Sequence, residues 1–164
     1  MKYFILIVSF LLEGVLSKYF PVNYFSSLFG LTALIVSYPY FTSKNVYFKH
    51  AFVYGFLYDL FYTDTLVFYA FVYLFMAFVI SKIYLVLPIN FLNLIFAICI
   101  CIFVFRSITY LCFVITGNLS FDFFAYMKSV RDSLIVNLIY GILIYFLTNF
   151  ISKKMKIRKT YKFV

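Results

Sequence analysis

Between Ala51 and Ser81 the chain reads AFVYGFLYDLFYTDTLVFYAFVYLFMAFVIS, almost wholly apolar, with one carboxylate, Asp59, deep in its first half and a polar break at Thr63-Asp64-Thr65. An acid without a partner is costly in a soluble core and costlier on a face turned to lipid. The stretch therefore predicts a helical hairpin whose acid is turned toward protein. The rest of the chain has the same character. Of 164 residues 66% are apolar, 26% aromatic and only 12% charged, against about 45–50% apolar and about 25% charged in soluble domains. The expected class is an all-α integral membrane protein forming one compact bundle.

The net charge of +9 does not make nucleic acid the expected partner, because the bases gather at the ends of apolar runs. There they orient helices and meet anionic lipid. Cys99 and Cys101 stand about 200° apart on a helix, Cys112 lies three turns further on, and His50 is in another segment, so no metal constellation forms. No Ser-His-Asp set, paired carboxylates or Gly-rich phosphate loop is present, so neither a cofactor nor an enzyme is expected.

Six apolar runs are read as spans, at about 3–17, 24–41, 48–62, 66–81, 87–115 and 134–151, with a basic tail over 152–164. The first begins like a signal peptide, but Glu13 interrupts its core and no small-x-small site follows, so it reads as a short span. The third and fourth each offer about 22 Å of helix against a hydrocarbon core of about 30 Å, which suits a pair packed within a bundle. One markedly polar loop is expected, Thr116 to Ser133. Six spans place both ends on one side. With that side cytoplasmic, the inner segments hold Lys2, Lys44, Lys49, Lys82 and six tail bases, and the outer ones hold Lys18, Lys128 and Arg131. Ten against three satisfies the positive-inside rule, and a five-span reading divides the bases less well.

Polar residues at membrane depth are then the candidate functional groups. Asp59 shares a helical face with Gly55, where the missing side chain lets another backbone approach. Arg106 lies near the middle of the fifth span, at a depth where a charge needs a partner, and pairing with Asp59 or Glu13 is expected. Asn137 and Gly141 share a face of the last span. Each of these groups either bonds within the bundle or meets a partner; a proton or substrate relay would need more titratable groups than the chain offers. Lys153, Lys154, Lys156, Arg158 and Lys159 read as a topology anchor with affinity for anionic lipid.

The segment Gly55-Phe56-Leu57-Tyr58-Asp59-Leu60, followed after four residues by Thr65-Leu66, resembles the motif of the rod shape-determining protein MreD family, commonly G-L-L-x-D-L-x-x-x-x-P-L-G. Thr65 and Val67 stand where proline and glycine are usual. Phe10-Leu11-Leu12-Glu13-Gly14 is similar to the end of the first span in members from low-GC Gram-positive bacteria, and Leu134-Ile135-Val136-Asn137 to the start of the family's last helix. The resemblance implies a non-catalytic six-span scaffold in a bacterial plasma membrane, partnering the bitopic protein MreC. It would work alongside the actin-like MreB, a SEDS-type glycan polymerase and a class B penicillin-binding transpeptidase in side-wall peptidoglycan synthesis. It also implies a fold similar to the substrate-binding S-components of energy-coupling-factor transporters. That relation supplies an alternative, a vitamin-binding transporter subunit, but such a subunit should carry a small-x-x-x-small patch in its first helix, and residues 3–17 have none.

Overall fold

Pro39 ends the second apolar run early, and the bundle is arranged around the short helix that results. The computed structural model describes residues 2–19, 27–63 and 65–154, with side chains throughout these except at 17–19. Its helices are α1 (Lys2–Tyr19), α2 (Phe29–Ser37), α3 (Lys44–Tyr62), α4 (Phe68–Val86), α5 (Phe91–Ile115) and α6 (Phe123–Lys154), and all regular structure among the described residues is helical. Pro39 has no N–H to continue the ladder of α2. The chain tightens there into a 3-10 turn, Tyr38–Tyr40, closed by Phe41 N–H onto the Tyr38 carbonyl at 3.2 Å.

Every residue of α2 is buried. A helix apolar on all sides belongs inside a shell of other helices, and α1, α4, α5 and α6 all pack on it. Leu31, Leu34 and Ile35 of α2 share one core with Tyr73, Met76 and Ile80 of α4 and Ile98, Ile102 and Phe105 of α5. Within the expected second span, 24–41, the described residues form a nine-residue helix, Phe29–Ser37, followed by the 3-10 turn, so the helical part is shorter than the run. Positions 24–26 lie outside the described residues.

Local capping accounts for the other boundary differences. The helix α3 starts a turn before the expected 48 because the Ser43 hydroxyl accepts the Val46 N–H at 3.4 Å. Expected to stop at 81, α4 continues to Val86, since Lys82 is exposed and does not interrupt it. Pro88 and the Asn90 cap, which takes the Asn93 N–H at 2.8 Å, delay α5 from 87 to 91. The largest correction is the polar loop 116–133. Asp122 accepts the Phe124 and Ala125 N–H groups at 2.9 and 3.2 Å and starts α6 eleven residues before 134. The polar side chains of Lys128, Arg131 and Asp132 therefore mark a solvent-facing helix rather than a loop.

Three helices, α4, α5 and α6, are long and apolar enough to cross a membrane. They turn large apolar side chains outward, among them Phe71, Phe75, Phe103, Leu143 and Phe150, as a lipid-facing surface does. The molecule is a membrane protein. At 32 residues α6 is about 48 Å long and exceeds the hydrocarbon thickness. Cys101 is buried, and Cys99, Cys101 and Cys112 are all free thiols.

The closest inter-helix packing is between α3 and α4, joined by a short connection whose Asp64 lies outside the described residues. Gly55 is what permits it: a Cβ there would overlap the Tyr69 carbonyl oxygen and stand 2.7 Å from Ala70 Cα. At the end of the connection Val67 adopts φ +65°, a left-handed conformation strained for a β-branched residue. Two substitutions test this hairpin by thermal unfolding in a single detergent. Gly55→Ala is expected to destabilise by about 1–3 kcal/mol, because backbone cannot move aside as a side chain can. Val67→Gly is expected to stabilise by about 1 kcal/mol through relief of strain.

Candidate functional site

Two helices of the bundle begin with no side-chain cap of their own: α2, after Leu28, and α4, after Val67. The first N–H groups of a helix have no intrahelical acceptor, and inside an apolar bundle water cannot replace one. In both places a buried carboxylate from the preceding helix takes the role.

Asp59, 3% exposed near the end of α3, reaches the first turn of α4. Its Oδ2 accepts the Ala70 N–H at 3.0 Å and its Oδ1 the Tyr69 N–H at 3.2 Å. The Thr65 and Thr63 hydroxyls donate to Oδ1 at 2.7 and 3.3 Å and meet each other at 2.8 Å. Charge at a helix start and charge-assisted hydrogen bonds both favour the arrangement. Gly55, one turn earlier, clears the space in which these same α4 residues sit. Thr65 supplies a donor that the proline usual at its position could not.

Glu13, 2% exposed in α1, does the same for α2. Its Oε2 accepts the Gly30 N–H at 3.0 Å and the Tyr54 hydroxyl of α3 at 3.3 Å. Among the described residues its Oε1 has no hydrogen-bond partner, nor has the buried Tyr73 hydroxyl. Asn137 of α6 completes the start of α2: its Oδ1 accepts the Leu28 N–H at 2.9 Å and the Thr32 hydroxyl at 3.3 Å, while its Nδ2 donates to the Ser133 carbonyl at 2.8 Å. One turn on, Gly141 leaves room for Ile98 of α5 and Thr32 of α2.

Arg106 of α5 closes the arrangement. Its Nε donates to the Ser133 hydroxyl at 2.7 Å, and it lies within electrostatic range of the Glu13 carboxyl. Glu13, the start of α2, Asn137, Ser133 and Arg106 thus form one polar layer linking α1, α2, α6 and α5, with Tyr54 joining α3 to it. Beside it the Ser9 and Tyr140 hydroxyls meet at 2.7 Å between α1 and α6.

Of the six residues expected either to bond within the bundle or to meet a partner, Glu13, Asn137, Arg106 and Gly141 fall in or against this layer, and Gly55 and Asp59 form the separate α3–α4 junction. Sequence reading missed Tyr54, Thr65 and Ser133. The signals for the last two were a hydroxyl in the break after Asp59 and a small polar residue four before Asn137. Among the described residues no group of three His, Cys, Asp or Glu side chains could hold a metal ion. Lys153 and Lys154 end α6 with exposed side chains, whereas Lys156, Arg158 and Lys159 lie outside the described residues.

Two measurements follow from this geometry. Asp59→Ala strands two backbone donors and is expected to cost about 3 kcal/mol, with Asp59→Asn, which keeps an acceptor, costing less, in denaturant titration. In a double-mutant cycle, Glu13→Gln and Arg106→Gln are expected to couple by more than about 0.5 kcal/mol; simple additivity would contradict the layer.

No curated protein and no solved structure matches the chain significantly. A family model does: rod shape-determining protein MreD, over residues 1–155. With the match spanning nearly the whole length, the chain belongs to the MreD family.

Proposed function

We propose that the protein is a non-catalytic scaffold of the cell-elongation machinery in a bacterial plasma membrane, binding MreC and thereby positioning or regulating side-wall peptidoglycan synthesis. The observation that carries the reading is the family match over residues 1–155. The polar layer and the α3–α4 junction fit a scaffold, because Asn137 and Asp59 spend their hydrogen bonds on holding helix starts to neighbouring helices, which stiffens a bundle otherwise held by apolar packing. On this reading MreB, the SEDS glycan polymerase and the class B transpeptidase belong to the same assembly, and the fold is of the S-component kind. The chain is multi-pass with both termini cytoplasmic, the orientation favoured by ten bases inside against three outside.

Depletion in the native bacterium should give rounded or widened cells, and MreC should be recovered with the tagged protein from detergent extracts. Normal shape with a vitamin requirement, together with recovery of a transporter's energising module, would contradict the scaffold and support a substrate-binding transporter subunit. Reporter fusions at either end should be active only in the cytoplasm.

A further inference from the structure

On the outside of the bundle a groove of about 210 Å³ runs between α1 and α3. Leu6, Phe10 and Leu11 form one wall, and Val53, Tyr54 and Leu57 the other. One end is marked by the Tyr3 and His50 rings, whose centroids are 5.1 Å apart. From Tyr3 to Leu11 the groove follows α1 for about 12 Å. Its volume is below the roughly 300–1,000 Å³ of small-molecule pockets, so it suits a narrow chain better than a ring system. Its walls contain no glycine, alanine, serine or threonine, the residues that let a second membrane helix approach closely.

Each wall carries a cation at one end. Lys2 precedes Leu6, and Lys49 precedes Val53, by four residues each, so each wall carries a cation one turn from its apolar lining on the same face. Both lie at the His50 end. Lys2 Nζ stands 4.7 Å from the Phe41 ring centroid, and Lys49 is exposed. The His50 Nδ1–H donates to the Val46 carbonyl at 2.6 Å, which fixes the ring across the groove end. Neither helix has an acid in its first two turns, so these cations face no competing carboxylate of their own elements.

We propose that this groove binds one acyl chain of an anionic phospholipid, with the phosphate held between Lys2 and Lys49 beside His50. An apolar slot with a cation on each wall at one end is complementary to a hydrocarbon chain ending in a negative headgroup, and with the orientation proposed above the cytoplasmic leaflet supplies such lipids. The proposal goes beyond the scaffold reading and requires no protein partner. Because Tyr54 both lines the groove and donates to Glu13, the bound chain lies directly over the polar layer.

Native mass spectrometry of the full chain, offered phosphatidylglycerol or phosphatidylcholine of the same chain length, tests it. The wild-type protein is expected to retain one phosphatidylglycerol in roughly tenfold preference. Lys2→Gln with Lys49→Gln should bring the two lipids to parity, and Val53→Trp should reduce retention of both. Val53 is 54% exposed, so the tryptophan can fill the groove without entering the core, and an unchanged thermal midpoint checks that. Equal retention of the two lipids by the wild type, preference unaltered in the lysine variant, or full retention by Val53→Trp would each overturn the proposal. So would a Val53→Trp protein that keeps its lipid but loses MreC, since the groove would then accept a helix; a scaffold that loses lipid and still recovers MreC supports the lipid site.

Discussion

A helix that starts inside an apolar bundle exposes N–H groups that lipid cannot satisfy, and the fold turns on how two such starts are supplied with acceptors. In α3, α5 and α6 the residue just before the helix does the work, through Ser43, Asn90 and Asp122. In α2 and α4 the preceding residues are Leu28 and Val67, which have nothing to offer. Glu13 and Asp59 replace them from the neighbouring helix. Each carboxylate thereby ties two helices at a defined height and rotation, something nonspecific apolar packing does poorly in a medium as apolar as the side chains.

The two junctions differ in reach. Asp59 joins α3 to α4 alone, within a hairpin that Gly55 lets close to backbone contact. Glu13 acts across the bundle, because the helix start it holds is also held by Asn137, and Asn137 leads through Ser133 to Arg106. The enclosed α2 is therefore gripped by α1 and α6 at one end, while α5 is tied in through its arginine. A frame of this kind presents a constant outer surface to other membrane proteins and to lipid, which is what a scaffold in the elongation machinery would require.

Much of this was legible in the residues themselves. A lone acid four residues after a glycine, in an otherwise apolar run, can only face protein, and Asp59 does. Glu13, Arg106 and Asn137 stood out for the same reason. Most of their partners did not, because they lie 17 to 109 residues away and include backbone N–H groups. Tyr54 was hidden among 17 tyrosines, with nothing in its spacing to separate a hydrogen-bonding ring from a packing one. The α2 boundary was misjudged because apolar content continues past Pro39 although the helix cannot. The start of α6 was misjudged because a long helix extending beyond the hydrocarbon has the polarity of a loop.

Amide hydrogen exchange of Gly30, Tyr69 and Ala70, followed by nuclear magnetic resonance in detergent micelles, bears most directly on the remote caps. If Glu13 and Asp59 hold these N–H groups, all three amides exchange as slowly as those in the middle of α5. Exchange at the rate of frayed helix ends, with α5 still protected, would contradict the account.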